Sequence, residues 1–194
     1  MGEQVAARQF TRADRTRYRQ KVRRCLDVFE RMLSESRFDF DRPMVGLEIE
    51  LNLVDDLGNP TMRNAEVLGA IADPDFQTEL GQFNIEINIP PLTLDGRSLD
   101  ELEQTLRADL NHAEHSARAV DAELMMIGIL PTLMAEHLSL DSLTANPRYK
   151  LLNEQIFAAR GEDIWLDISG DERLRTSSDS IAPEAACTSV QCHL

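Results

Sequence analysis

Two stretches of this chain abandon the helical period for a period of two, and they limit what it can become. From Met44 onward, Val45, Leu47, Ile49, Leu51 and Leu53 alternate with Gly46, Glu48, Glu50 and Asn52. From Gln82 onward, Phe83, Ile85, Ile87 and Ile89 alternate with Gln82, Asn84, Glu86 and Asn88. Successive side chains of a strand point to opposite faces, so each stretch reads as a half-buried strand with one apolar face and one face of Glu, Asn and Gln. Such strands suit an antiparallel sheet with one side on a core and the other in water. Pro90-Pro91 is expected to stop the second strand. Asp55-Asp56-Leu57-Gly58-Asn59-Pro60 carries turn chemistry and predicts a hairpin return around Thr61–Arg63.

Helices supply the other side of that core. Tyr18, Val22, Cys25, Leu26, Phe29, Met32 and Leu33 recur at helical spacing and predict an amphipathic helix over about 13–35, and a short helix fits about 65–72. Ser98 with Glu101 three residues on reads as a capping box, opening a helix whose stripe is Leu99, Leu102, Leu106, Leu110, Ala113, Ala117 and Val120. Leu124–Leu130 is a continuous apolar run of the length of a buried strand, closed by Pro131, and a further helix is expected over 148–160. Thr188, Val190, Cys192 and Leu194 alternate with Ser189, Gln191 and His193, a strand inside which the chain stops, which reads as a truncation. With no internal repeat or long linker, the elements predict a single α+β domain, its sheet antiparallel or mixed with helices on one side, divided into a helical region 1–40 and a sheet-bearing region 41–194.

Charge and cysteine usage exclude several classes. A net charge of -14 and a pI near 4.6 oppose binding to nucleic acid or anionic membranes, although Arg8 to Arg24 form a local basic run interrupted only by Asp14. That run reads first as the solvated face of the N-terminal helix. No export signal opens the chain, and the three scattered cysteines suit reduced thiols, so the expected compartment is the cytoplasm.

The chemistry sits on the polar strand faces. Glu48 and Glu50, two apart on a strand, project from the same face at roughly 7 Å spacing. Glu86 lies on the polar face of the second strand, and Glu79 just precedes it. If the two strands are neighbours, the four carboxylates converge, and an all-oxygen ligand set selects Mg²⁺, Mn²⁺ or Ca²⁺. The alternative is an ordinary wet face of an antiparallel sheet; Glu and Asn, poor strand formers, are what make the functional reading worth testing.

These residues also resemble a known family. Gly46-Leu47-Glu48-Ile49-Glu50, then Thr78–Asn88, Asn146-Pro147-Arg148-Tyr149 and Ala186–Leu194 are similar, in that order, to segments of the glutamate–cysteine ligase family in its bacterial carboxylate–amine ligase branch. The resemblance runs from about Val45 to the C-terminus. It implies a glutamine-synthetase-like fold, whose curved antiparallel sheet presents a polar concave face to ATP, Mg²⁺ (or Mn²⁺) and amino acid. It implies further that Glu48, Glu50, Glu79 and Glu86 bind metal and that Gln191, His193 and Arg148 contact substrate, in a reaction joining glutamate to cysteine through an acyl phosphate. A different amine substrate, or a non-catalytic divalent-metal or small-molecule module with possible self-association, are the readings it competes with.

Overall fold

The computed structural model describes residues 10–38 and 43–194. Arg8 of the basic run, the opening residues Met1–Gln4 and the expected boundary near residue 40 lie outside them. In chain order the elements are α1 (Arg12–Ser34), β1 (Met44–Val54), α2 (Asn64–Ile71), β2 (Phe76–Thr78), β3 (Asn84–Thr93), α3 (Ser98–Arg118), β4 (Glu123–Met125), α4 (Pro147–Arg160), β5 (Ile164–Ser169), β6 (Arg173–Ser178) and β7 (Val190–His193), with short 3-10 turns at Ala135–His137, Leu140–Ser142 and Ala182–Ala186. No helix among them is long and apolar enough to cross a membrane.

The larger sheet runs β2-β3-β1-β4, and β7 joins β1 on the flank that β4 occupies farther along. Every pairing in it is antiparallel. The expected alternation holds on the apolar face. Leu47, Ile49, Leu51 and Leu53 of β1 and Ile85, Ile87 and Ile89 of β3 are buried against Val67 and Ile71 of α2 and Ala113 and Ala117 of α3. Each fully buried Leu or Ile contributes about 1.5–3 kcal/mol, so this layer supplies the main drive for folding. The helices α2 and α3 thus cover one face, as an α+β arrangement requires, and the Glu/Asn face is turned away from them.

Several local expectations fail for identifiable reasons. β3 continues through Pro90-Pro91 to Thr93 instead of stopping. β2 pairs only as far as Ile87, and the β1–β3 register shifts between Val45 and Leu47, so a bulge on an open edge accommodates prolines that cannot donate to a ladder. The turn after β1 forms, with the Asp55 carboxylate accepting from the Leu57 and Asn59 amides and Gly58 at φ 78°, but the return shrinks to a Val54–Pro60 bridge before α2 begins. The Ser98 capping box is absent: Arg97 is the N-cap and makes no side-chain cap, while the Ser98 hydroxyl bonds the Asp95 backbone. Leu99 consequently faces solvent.

Of the apolar run 124–130 only Leu124 and Met125 join a strand, β4, and Met126, Ile127 and Ile129 are exposed. Continuous hydrophobicity cannot distinguish a buried strand from an apolar surface segment. The β5–β6 hairpin and β2 carry no clear alternation signal and were not anticipated; the hairpin is a separate two-stranded sheet, exposed along most of its length.

Candidate functional site

The β1–β3 register decides which polar residues meet. Glu48 stands opposite Asn88, Glu50 opposite Glu86 and Asn52 opposite Asn84, while on the other flank of β1 Gln191 of β7 stands opposite Glu48. Directly opposed residues of an antiparallel pair have Cβ atoms about 5 Å apart. The acids on the two strands are therefore forced together. Gln77 of β2 is level with Glu86, and Glu79 follows at the end of that short strand.

Three of the four expected carboxylates converge. One oxygen each from Glu50, Glu79 and Glu86 lies within 4.8 Å of the others, close to the roughly 4–5 Å that separates oxygens on opposite sides of one divalent ion. None of the ion pairs formed among the described residues involves these three side chains. Glu79 bears the strain of this crowding. Burial first, then a hydrogen bond shared with the Glu86 carboxyl and the Glu86 and Glu50 charges, push its carboxyl up to about 7, against a stabilising hydrogen bond from the Leu80 amide at 2.7 Å. A carboxyl held at that value near neutral pH either keeps a proton or accepts a cation, and the all-oxygen donor set fits a hard divalent cation.

The remaining partners orient the cluster. Glu50 accepts from the Ser189 amide at 2.8 Å, the Ser189 hydroxyl at 3.2 Å and Gln191 Nε2 at 3.2 Å, so β7 and the residue that leads into it fix its carboxylate from one side. Glu86 accepts from Asn88 Nδ2. Glu48, the fourth expected ligand, stands apart from the trio with its Oε2 3.1 Å from His193 Nε2. Gln191 and His193 are thus both on the site face, each touching a different glutamate. A cleft of about 490 Å³, lined by Glu48, Gln77, Asn88 and His193 among others, opens beside them. Arg148 is exposed near the start of α4, its backbone amide capped by Asn146, and forms no ion pair with the cluster.

Three contributors carried no role in the sequence reading. Ser189 was visible only as a strand residue, and no signal marked its bond to Glu50. Tyr149 reaches across from α4 to donate its hydroxyl to the Thr78 carbonyl at 3.2 Å, and burial followed by the Glu79 charge raises its phenol. Asn52, expected on the wet face, is fully buried: its Nδ2 donates to the Ile127 carbonyl at 2.9 Å and Thr188 Oγ1 at 3.3 Å, and its Oδ1 accepts from Asn84 Nδ2 at 3.0 Å. The Ile127–Gly128 segment and the start of β7 lie over it, and Thr188 also bonds Ile127 and Gly128. Asn52 therefore ties the sheet to the segment that delivers Ser189.

The sequence profile of the family described as glutamate-cysteine ligase family 2 (GCS2) matches residues 44–194. That span includes both carboxylate strands, Tyr149 and β7, and omits α1. No curated protein and no solved structure matches the chain.

Proposed function

Because this chain belongs to glutamate-cysteine ligase family 2, a family of ligases, we propose that Glu50, Glu79 and Glu86 hold a Mg²⁺ or Mn²⁺ ion that positions ATP for amide formation on the γ-carboxylate of glutamate. The observation that carries this reading is the convergence of three carboxylates within 4.8 Å, free of ion pairs with any cationic side chain among the described residues. ATP and glutamate are anions, whereas the site positions Glu48, Glu50, Asn84, Glu86, Asn88, Ser189 and Gln191 include no Lys or Arg. A bound divalent ion supplies the positive charge that such a surface needs to accept phosphate oxygens.

The chain's own residues then divide the work. Glu50 is held by Ser189 and Gln191, so its oxygens are preorganised rather than free to rotate. Glu79 gives up its proton on ion binding, since only the carboxylate ligates. The cleft beside Glu48 and His193 is within the size range of small-ligand sites and receives the amino acid. In the reaction a γ-carboxylate oxygen of glutamate attacks the γ-phosphorus of ATP and the bond to the β-phosphate oxygen breaks, releasing ADP. The amine nitrogen then attacks the acyl carbon, phosphate departs with the former carboxylate oxygen, and the amine loses a proton. Cysteine is the amine named by the family, and the cytoplasm is the compartment this reading proposes for the reaction. The open polar face over an antiparallel sheet fits the glutamine-synthetase-like architecture that the resemblance implies.

Calorimetric titration of Mn²⁺ into the chain and its Glu50→Gln/Glu86→Gln double variant tests the proposal. One site in the parent and none in the variant is expected. Equal binding by both, or none by the parent, refutes it. Release of ADP that requires glutamate and an amine together then separates a ligase from a metal-binding module.

A further inference from the structure

The helix α1 lies outside the span matched by the family and takes no part in the site. Its 23 residues include no buried one, yet Tyr18, Leu26, Phe29 and Leu33 are 69%, 59%, 49% and 55% exposed. Phe29 is already joined edge-on by Phe38, ring centroids 6.0 Å apart, which widens the apolar face. An apolar stripe of this length on a helix is usually covered by a partner.

The stripe is its own complement. Six of its seven members, Tyr18, Val22, Cys25, Leu26, Phe29 and Leu33, are spaced symmetrically about the point between Cys25 and Leu26, and the seventh, Met32, falls level with Arg19 of the opposite helix at the edge of the stripe. We propose that α1 pairs antiparallel with α1 of a second copy of the chain, around a two-fold axis at that point. Tyr18 then shares a layer with Leu33 of the partner subunit, and Val22 with Phe29 of the partner subunit. A two-fold contact of this kind requires a self-complementary patch, and the stripe is one.

Charge selects the antiparallel direction. Most of the basic residues precede the centre, whereas Asp27, Glu30 and Glu35 follow it. The antiparallel register sets Glu30 level with the gap between Arg19 and Arg23 of the opposite helix, on the same flank. A parallel pair would align Arg15, Arg17, Arg19, Lys21, Arg23 and Arg24 with their own copies.

The rest of the chain argues the same way. Residues 43–194 carry 9 Lys and Arg against 27 Asp and Glu. Each chain leaves α1 at its C-terminal end, so antiparallel pairing holds the two acidic bodies roughly 30 Å apart, several Debye lengths, whereas parallel pairing brings them side by side. An anionic membrane or a nucleic acid would have to tolerate that acidic body close by, which makes a second copy the better occupant.

Sedimentation velocity of the full chain over a range of concentrations tests this, with circular dichroism as the check on folding. The parent should be a dimer at high concentration, and Leu26→Glu/Phe29→Glu should be a monomer of unchanged spectrum, because neither residue is part of the core. Glu30→Arg should weaken dimerisation by roughly tenfold, and adding Arg19→Glu and Arg23→Glu to it should restore most of the loss. A parent that is monomeric throughout, a dimer that survives Leu26→Glu/Phe29→Glu, or a triple variant as weak as Glu30→Arg would each overturn the proposal. None of these outcomes depends on metal binding or ligase activity.

Discussion

Replacing Glu79 by Gln should make the metal-free protein more stable at alkaline pH while weakening its hold on a divalent ion. Folding raises this carboxyl from its ordinary 4.5 to about 7, chiefly by burial and then by Glu86 and Glu50. Between those values the folded chain binds a proton that the unfolded chain has released. Stability therefore falls as pH rises from about 4.5 to 7 and is level above. A shift from 4.5 to about 7 corresponds to at most about 3 kcal/mol, and because the site opens to water on one side, about 1–3 kcal/mol is the expected size. Gln has the same shape, keeps an acceptor for the Leu80 amide and can donate to Glu86, so it mimics the protonated acid at every pH. In EDTA, thermal melts at pH 4 should nearly coincide for parent and variant. At pH 8 the variant should melt higher by about 2–4 °C per kcal/mol. Parallel pH profiles for the two proteins, or a variant less stable at pH 8, would show that folding does not raise the Glu79 carboxyl and would refute the reasoning.

The same carboxyl governs ion binding. Mn²⁺ affinity should climb between pH 6 and 7 by up to about tenfold per unit and flatten above Glu79's value of about 7, as followed by calorimetry at several pH values. Ser189→Ala removes one of three hydrogen bonds to Glu50 from an exposed position, so Mn²⁺ affinity should drop by roughly two- to tenfold with little change in melting temperature. Asn52→Leu strands the buried Asn84 amide, whose Oδ1 already lacks a hydrogen-bond partner, and unties Thr188; urea unfolding should show a loss of about 2–4 kcal/mol. Gly81→Ala would drive its methyl into Asn84 Oδ1 and within 3.1 Å of Ala185 Cβ and Phe83 Cε1, and about 1–3 kcal/mol should be lost in the same assay.

Period and propensity made much of the scaffold legible. The alternation 44–53 became β1, the stripe over 13–35 became α1, the 148–160 helix formed behind Pro147 and its Asn146 cap, and the closing alternation became β7. Each is a local signal, set by which side chains point which way along one segment. Signals that depend on surroundings misled. Proline halts a strand only where its missing N–H would be needed, and at the bulged end of β3 it is not. The apolar run after Glu123 looked like core because hydrophobicity by itself does not say what lies opposite. Ser98 had the spacing of a cap, but the Asp95 backbone captured its hydroxyl first.

The same division runs through the site. Glu48 and Glu50 on one face, and Glu86 on the polar face of the next strand, follow from a repeat of two residues, and the sequence by itself determined that an acidic sheet surface would exist. Which acids share an ion was decided by register and by the placement of β2, because sliding β3 by two residues along β1 would keep every side chain on its face yet set Glu86 opposite Glu48 or Asn52 instead of Glu50. Likewise Ser189 reaches Glu50 and His193 reaches Glu48 only because a segment more than a hundred residues later lies along β1, and Asn52 is buried because that segment and Ile127 both bond its side chain. Alternation fixes a side chain's direction from its immediate neighbours, whereas its partner is fixed by long-range packing that no local stretch encodes.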